Sequence, residues 1–336
     1  MRHEEIKTGW LTINRACTNR CAWCYARNAV LSDMDLEEAK LVIDALADKN
    51  IKKIVLIGGE PTIYPYIKQI IQYINEKDMF VGLVSNGQKF ADMQFCQSIL
   101  EMGPISINIS VKGVTSKEYA DNTGNLQGFA QMIQGIRNLN QCDASVMLSY
   151  VVTDDSTDKI EQFLGLAERE HVERVLFQFE KPLVGFEENS EIMPFQQMGT
   201  MTQYICERCK TWTGDYGIEV SFPFCHIDRS CLEHLIANKH IVSGCHIPAG
   251  TGIIFDTDCR VLPCNHFVNF PYREDKVTTA EQIDELWDSK EVAGFRKRIN
   301  CFPSEKCKDC MYWTQCGGGC MTRWLSLNPE DEIVGI

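Results

Sequence analysis

The sequence predicts an α/β chain built on a parallel sheet, and three observations carry that prediction. Six short apolar runs between Gly9 and Pro182 alternate with segments of helical period. The 336 residues, 44% hydrophobic, are ample for a large buried core with a smaller companion. After Pro182 the alternation breaks, and ten of the 17 cysteines fall between Cys225 and Cys320.

The strand candidates are 10–13, 53–57, 80–84, 105–111, 145–152 and 174–179. The helices expected between them span 36–47, 66–75, 92–100, 126–139 and 159–169. Asp33 or Asp35 suits the first helix as a cap, and Glu37 and Glu38 suit its first turn. Strands alternating with helices imply right-handed crossovers in a parallel sheet, open or curled into a barrel. In a barrel the site lies at the C-terminal ends of the strands. Beyond Pro182 a helix is expected at 194–209 and a strand at 218–222. The cysteine-, glycine- and proline-rich remainder leaves little room for regular structure. The domains expected are 1–215 and 216–336.

Composition excludes several classes. The longest apolar runs, such as 54–57, fall far short of the ~18 residues a membrane span needs. Met1-Arg2-His3-Glu4-Glu5 has mixed charge and no apolar stretch, so no secretory signal is expected and the cytoplasm is the expected compartment. A net charge of −13 argues against a nucleic-acid partner. Seventeen thiols without a secretory signal fit metal or cluster ligation better than a disulfide framework.

Cys17, Cys21 and Cys24 follow directly on the first strand candidate. Three thiolates on one loop can hold a cubane with one iron left open, whereas four would saturate it. A zinc knuckle is the competing reading, but no fourth cysteine or histidine lies nearby. Gly58-Gly59-Glu60-Pro61 ends the second strand, Ser85-Asn86-Gly87 the third, and Ser110 lies at the end of the fourth. Taken alone, the Gly-Gly-Glu-Pro string is an ordinary turn.

Together these residues resemble the radical S-adenosylmethionine (SAM) superfamily, whose signature is Cys-x3-Cys-x2-Cys with an aromatic, here Trp23, before the third cysteine. The resemblance implies a partial (β/α)6 barrel whose open iron chelates SAM. It also implies reductive cleavage to a 5′-deoxyadenosyl radical that takes hydrogen from substrate. Gly58, Gly59, Glu60, Pro61, Ser85, Ser110, Trp23 and Gln178 become the expected cofactor contacts, with Glu60 and its neighbouring backbone at the SAM amino group. Two features depart from the family pattern. Lys112 replaces an acidic residue, and the 119–124 stretch lacks the usual arginine, so binding of the SAM carboxylate is expected to differ in detail.

Cys307-x2-Cys310-x5-Cys316-x3-Cys320 would make one zinc ribbon by spacing alone. Its resemblance is to the SPASM extension, a small cysteine-rich domain with auxiliary [4Fe–4S] clusters. Cys245-x13-Cys259-x4-Cys264 matches the upstream half, with Cys259 where a glycine usually sits. The resemblance implies a first auxiliary cluster on Cys245, Cys264 and Cys320, with Cys225 as fourth ligand and Cys231 and Cys259 as rivals. Cys307, Cys310 and Cys316 would hold the second. No cysteine follows Cys320, so its fourth position is an open iron, an oxygen ligand near Asp331, or Cys301, or else the cluster is absent.

Three [4Fe–4S] clusters and SAM are thus the expected cofactors, and a ribosomally made precursor peptide is the expected substrate. Cross-linking, thioether formation and epimerisation are the candidate reactions. Only sixteen residues precede Cys17, so the expectation is that either a separate leader-binding partner presents the peptide or the substrate is small, with a flavodoxin or ferredoxin as electron donor. The alternatives are a dehydrogenase or sulfatase-maturase-like enzyme and, remotely, a zinc-stabilised binding protein. Glu180, Asp215 and Asp256 are candidate bases without a spacing argument. Cys96 and Cys142 read as small core residues, Cys206 and Cys209 as helix residues, and His246 and His266 as polar neighbours of cluster ligands.

Overall fold

A computed structural model describes residues 6–154, 156–184, 193–242, 245–246, 250–325 and 327–335. Residues 1–5, on which the signal-sequence reading rested, lie outside them. The expected alternation is present: β1 (Thr8–Asn14), α1 (Leu36–Asp48), β2 (Lys53–Gly58), α2 (Ile67–Glu76), β3 (Phe80–Ser85), α3 (Met93–Leu100) and β4 (Ile105–Val111). There follow α4 (Ser116–Thr123), α5 (Gly128–Gln141), β5 (Ser145–Val152), α6 (Thr157–Arg169), β6 (Arg174–Phe179), α7 (Phe195–Cys209) and β7 (Asp215–Glu219). The cysteine-rich part holds more regular structure than its composition suggests: α8 (Arg229–Ala237), a hairpin of β8 (Gly252–Phe255) and β9 (Val261–Leu262), α9 (Ala280–Trp287) and α10 (Lys290–Ile299).

Local chemistry explains these elements. Asp35 caps α1 by accepting from the Glu37 and Glu38 amides. Ile67, Ile70, Ile71 and Ile74 form the buried stripe of α2, each contributing about 1.5–3 kcal/mol by burial. A capping box between Thr279 and Gln282 starts α9 in a stretch with no cysteine. The strand expected at 218–222 begins earlier because the Asp215 amide already bonds Glu173 O, at 2.7 Å.

The chain divides into two compact units, Met1–Met147 with His246–Lys297 and Leu148–Cys245 with Arg298–Ile336. In the first, the strand order is β4-β3-β2-β1-β8-β9, parallel throughout except for the β8–β9 hairpin. Segment 246–297 belongs there because β8 pairs in parallel with β1, Thr8 opposite Gly252. In the second unit β5, β6 and β7 are parallel neighbours. Leu11, Ile13, Leu56, Ile107 and Ile109 are fully buried on one face, and Thr12 and Ile57 are buried on the other, the burial expected of a parallel sheet covered on both faces.

Candidate active site

Parallel strands deliver their C-terminal loops to one edge, and the first unit gathers its motif residues there. Asn14 of β1 lies opposite Gly58 of β2, and Ser85 of β3 opposite Ile109 of β4. The double glycine is explained by what it touches. A Cβ on Gly58 would lie 2.4 Å from Asn14 Oδ1, and one on Gly59 only 2.2 Å from Ala16 O. Their close approach is to the strand entering the cysteine loop. The Gly59 amide donates to Asn14 O and the Glu60 amide to Ala16 O, both at 2.8 Å. Asn14 Nδ2 donates to Glu60 O at 2.9 Å.

Glu60 is 2% exposed, and protein donors occupy its carboxylate. Oε1 accepts from the Thr62 amide (3.1 Å), Thr62 Oγ1 (2.6 Å) and Ser85 Oγ (2.8 Å), while Oε2 accepts from the Asn86 amide (2.7 Å). Burial pushes its pKa up, against the pull of these four donors. Glu60 and Ser85 thus lock the β2 and β3 turns together, with Pro61 buried at the start of a 3₁₀ turn. That positioning role had no signal in the spacing.

The cysteine loop rests on α4, which sequence reasoning missed. The Arg20 and Ala22 amides donate to Thr123 O (2.9 Å) and Asn122 O (3.2 Å), orphan carbonyls at the helix end. Asn19, buried, donates to Tyr119 OH at 3.1 Å and accepts from Gln88 Nε2 at 2.8 Å, and Asn86 Nδ2 donates to Thr18 Oγ1 at 2.9 Å. These bonds fix the loop and leave its thiols at the surface: Cys17 is exposed, and Cys21 and Cys24 are half-buried. The Asn19 amide donates to Cys17 Sγ at 3.4 Å. Burial raises the Cys21 pKa, and the Lys112 ammonium opposes that rise. Lys112 Nζ also donates to Ser110 Oγ, at 2.6 Å. Among the described residues the buried Trp23 Nε1 has no acceptor.

Behind the loop lies a buried ion pair. Arg15 donates to Asp256 Oδ1 through Nε (3.1 Å) and Nη2 (2.5 Å), with side chains 2% and 8% exposed. Asp256, named above as a candidate base, is held in this buried pair with Arg15. Tyr25 lies in the fields of Arg15, Cys24, Cys264 and Asp256, and its ring centroid is 5.4 Å from that of His266. His246 packs against Trp10 with ring centroids 4.4 Å apart and the ring planes tilted by 56°. Cys259 has φ +63°, the conformation that favours glycine at this position, and its thiol faces Glu38 Oε2 at 3.9 Å.

The second unit contains the remaining candidates. Gln178 Nε2 donates to Glu219 Oε2 at 2.5 Å, and Lys181 pairs with the same carboxylate. Asp215 opens β7, at the end opposite the strand C-termini. Glu180 O accepts from Arg323 Nη2 at 2.6 Å. Cys231 is buried on α8. Cys245 and Cys301 are exposed, and Cys320 Sγ lies 3.1 Å from Thr322 Oγ1. Cys225 lines one pocket with Cys307, Cys310 and Cys316.

Three surface thiols on a loop held by backbone bonds, an N–H···S bond, and an unpartnered indole N–H suit a three-cysteine cluster with a ligand beside it. The comparisons with known proteins agree: residues 11–167 match the radical SAM superfamily. These residues are a radical SAM domain. Such domains are enzymatic, and the family implies a [4Fe–4S] cluster and SAM. The Fe-coproporphyrin III synthase of Methanosarcina barkeri is 26% identical over 169 residues, covering 49% of this chain and 42% of that protein. The mycofactocin maturase MftC of Mycobacterium ulcerans is 21% identical over 311 residues, 91% of this chain and 80% of the maturase. The chain thus spans less than half the length of the first relative and most of the second. Among solved structures, Streptococcus suis SuiB bound to S-adenosylmethionine aligns with a TM-score of 0.77 at 16% identity, covering 97% of this chain and 75% of SuiB. Native anSMEcpe with bound AdoMet aligns at 0.72 and 15%, covering 94% and 89%. These likenesses establish the fold, a radical SAM partial barrel with a cysteine-rich region of SPASM type.

Proposed function

We propose that the chain is a radical SAM maturase that modifies a ribosomally synthesised peptide. The observation that carries the reading is the three-cysteine loop docked on the Gly58–Gly59–Glu60 turn, together with a cysteine-rich C-terminal part. A relative aligned over 91% of the chain is named a maturase, and SuiB has been solved with its precursor peptide SuiA. No helix among the described residues is long and apolar enough to cross a membrane.

Cys17, Cys21 and Cys24 hold the SAM-binding cluster. Once reduced, the bound cluster would supply the single electron that cleaves the S–C5′ bond of SAM, leaving methionine and a 5′-deoxyadenosyl radical able to take hydrogen. The chain's own residues do the placing. The β2 turn fixes the backbone that faces the SAM amino group, Trp23 offers its indole N–H, and Lys112, beside Ser110 and Cys21, offers the cation that the missing arginine does not. Residues 1–215 carry this chemistry, and residues 216–336 carry auxiliary [4Fe–4S] clusters, for three in all. A separate protein presents the peptide leader, and a flavodoxin or ferredoxin delivers electrons.

The test is anaerobic incubation with SAM, reductant and candidate short peptides, followed by mass spectrometry. Reductant-dependent 5′-deoxyadenosine with loss of two hydrogens from a peptide, or deuterium uptake at an epimerised Cα, supports the proposal. Turnover only of a small alcohol or thiol would overturn the peptide assignment. Colourless, zinc-bound protein inert to SAM would overturn all of it.

A further inference from the structure

We propose that Cys225 is the fourth thiolate of the cluster held by Cys307, Cys310 and Cys316, so that this auxiliary cluster is fully ligated by protein. The inference rests on the auxiliary-cluster reading above and adds a fourth thiol to the trio of Cys307, Cys310 and Cys316. All four thiols line one pocket, closed over by Trp313 and Ile333.

The fold brings Cys225 there by pinning segment 221–226 along the C-terminal block. Ser221 O accepts from the Cys320 amide (3.0 Å) and from Arg323 Nε (2.9 Å). A Cβ on Gly319 would lie 2.7 Å from Phe222 Cα, so only glycine allows the two backbones to lie this close. The Phe224 amide donates to Cys316 Sγ at 3.3 Å. His226 Nε2 meets Glu332 O at 2.6 Å, tying the far end of the segment to the chain terminus. Residue 225, within this seam, therefore faces the same pocket as the three downstream cysteines.

The surroundings suit thiolates that share negative charge. Gly317, Gly318 and Gly319 all have positive φ, 55°, 76° and 79°, and successive amides in such turns form concave anion sites like those around iron–sulfur clusters. A single zinc ion would draw four sulfurs to about 3.8 Å from one another, given tetrahedral bonds of 2.3 Å. Among the described residues no three His, Cys, Asp or Glu side chains converge to hold one ion. In a cubane each thiolate binds a different iron, which allows wider spacing. Exposed Cys301 lines no part of this pocket. With four thiolates no iron is vacant, so this cluster can carry an electron but offers no site to substrate.

The experiment uses the full chain in a Cys17→Ala/Cys21→Ala/Cys24→Ala background, where two auxiliary cubanes predict ~8 irons. Onto it are added Cys225→Ala, Cys307→Ala/Cys310→Ala/Cys316→Ala, or all four, with circular dichroism checking the fold. Iron, sulfide, zinc and the EPR spectrum of the reduced protein are measured. The proposal expects the triple variant to hold ~4 irons and the quadruple variant the same. Cys225→Ala alone should lose that cluster, or keep it with an altered spectrum, while the other cluster's signal is unchanged. Iron falling further in the quadruple than in the triple variant would assign Cys225 elsewhere and overturn the proposal. An unchanged spectrum and iron content in Cys225→Ala, or stoichiometric zinc lost with Cys225, would do the same. Production of 5′-deoxyadenosine by the parent chain tests the radical SAM reading separately, so failure of one is distinguishable from failure of the other.

Discussion

Gly59→Ala is the sharpest test of how the β2 turn positions the cysteine loop. The added methyl would meet Ala16 O at 2.2 Å, Ala16 C at 2.6 Å and Arg15 O at 2.6 Å, all backbone atoms without a rotamer to escape into. Ordinary contact begins near 3.4 Å, so the chain entering Cys17 must retreat by about 1 Å. That retreat strains the Gly59–Asn14 and Glu60–Ala16 bonds, both 2.8 Å. Overpacking typically costs about 1–3 kcal/mol, and each of the two weakened hydrogen bonds adds about 1 kcal/mol, so about 3–5 kcal/mol is expected. The readouts are the urea midpoint, iron per chain and 5′-deoxyadenosine production. The midpoint should fall, and SAM cleavage should drop at least tenfold as the loop cysteines lose register. Gly294→Ala is the control. Nothing lies within 4 Å of its added Cβ, and it sits inside α10, so it should be neutral or stabilising by about 0.5–1 kcal/mol. A Gly59→Ala protein with parental midpoint, iron content and SAM cleavage would refute the reasoning.

Breaking the buried Arg15–Asp256 pair with Arg15→Met or Asp256→Asn should cost about 3–5 kcal/mol, because one charge stays buried alone. The double replacement Arg15→Met/Asp256→Leu should recover most of that in a denaturation midpoint, and equal losses in single and double variants would contradict the argument. Lys112→Met should weaken SAM binding about tenfold, or 1.4 kcal/mol, measured anaerobically by equilibrium dialysis, and an unchanged Kd would remove Lys112 from the site. At Glu161, partial burial pushes the carboxyl up, but bonds from Arg208 and Tyr204 outweigh it and hold its pKa below the ordinary value of 4.5. A depressed folded-state pKa contributes stability that is full above the unfolded value and lost as pH falls through the folded one. The parent should therefore melt above Glu161→Gln at pH 7, by no more than about 1 kcal/mol for this part-exposed pair, with the gap closing below pH 4.5; a gap independent of pH would sink the assignment.

The alternation of apolar runs with helical periods was enough to read the six strands and five of the helices between them, since a side-chain period is a local property. The cysteine spacing and the Gly-Gly-Glu-Pro string marked the loops at the strand ends for the same reason. What those residues touch was not legible. Gly58 and Gly59 are glycines because β1 and β2 close against each other at Asn14 and Ala16, a pairing 44 residues apart between Asn14 and Gly58. Glu60 reads as a ligand contact in sequence and becomes a clamp only when β3 brings Ser85 and Asn86 to its carboxylate. α4 escaped notice because Ser116–Thr123 is short and polar, and its value lies in two terminal carbonyls that meet the cysteine loop. The cysteines were countable from the start, but ligand grouping is a matter of distance. Sequence proximity offered Cys301 and Asp331 as partners for the C-terminal trio, whereas the seam between residues 221–226 and the C-terminal block brings in Cys225, 82 residues before Cys307. Local pattern determined which residues hold charge, bend the chain or carry sulfur; the tertiary structure alone decided their partners, because hydrogen bonds and metal ligation depend on separation in space and not along the chain.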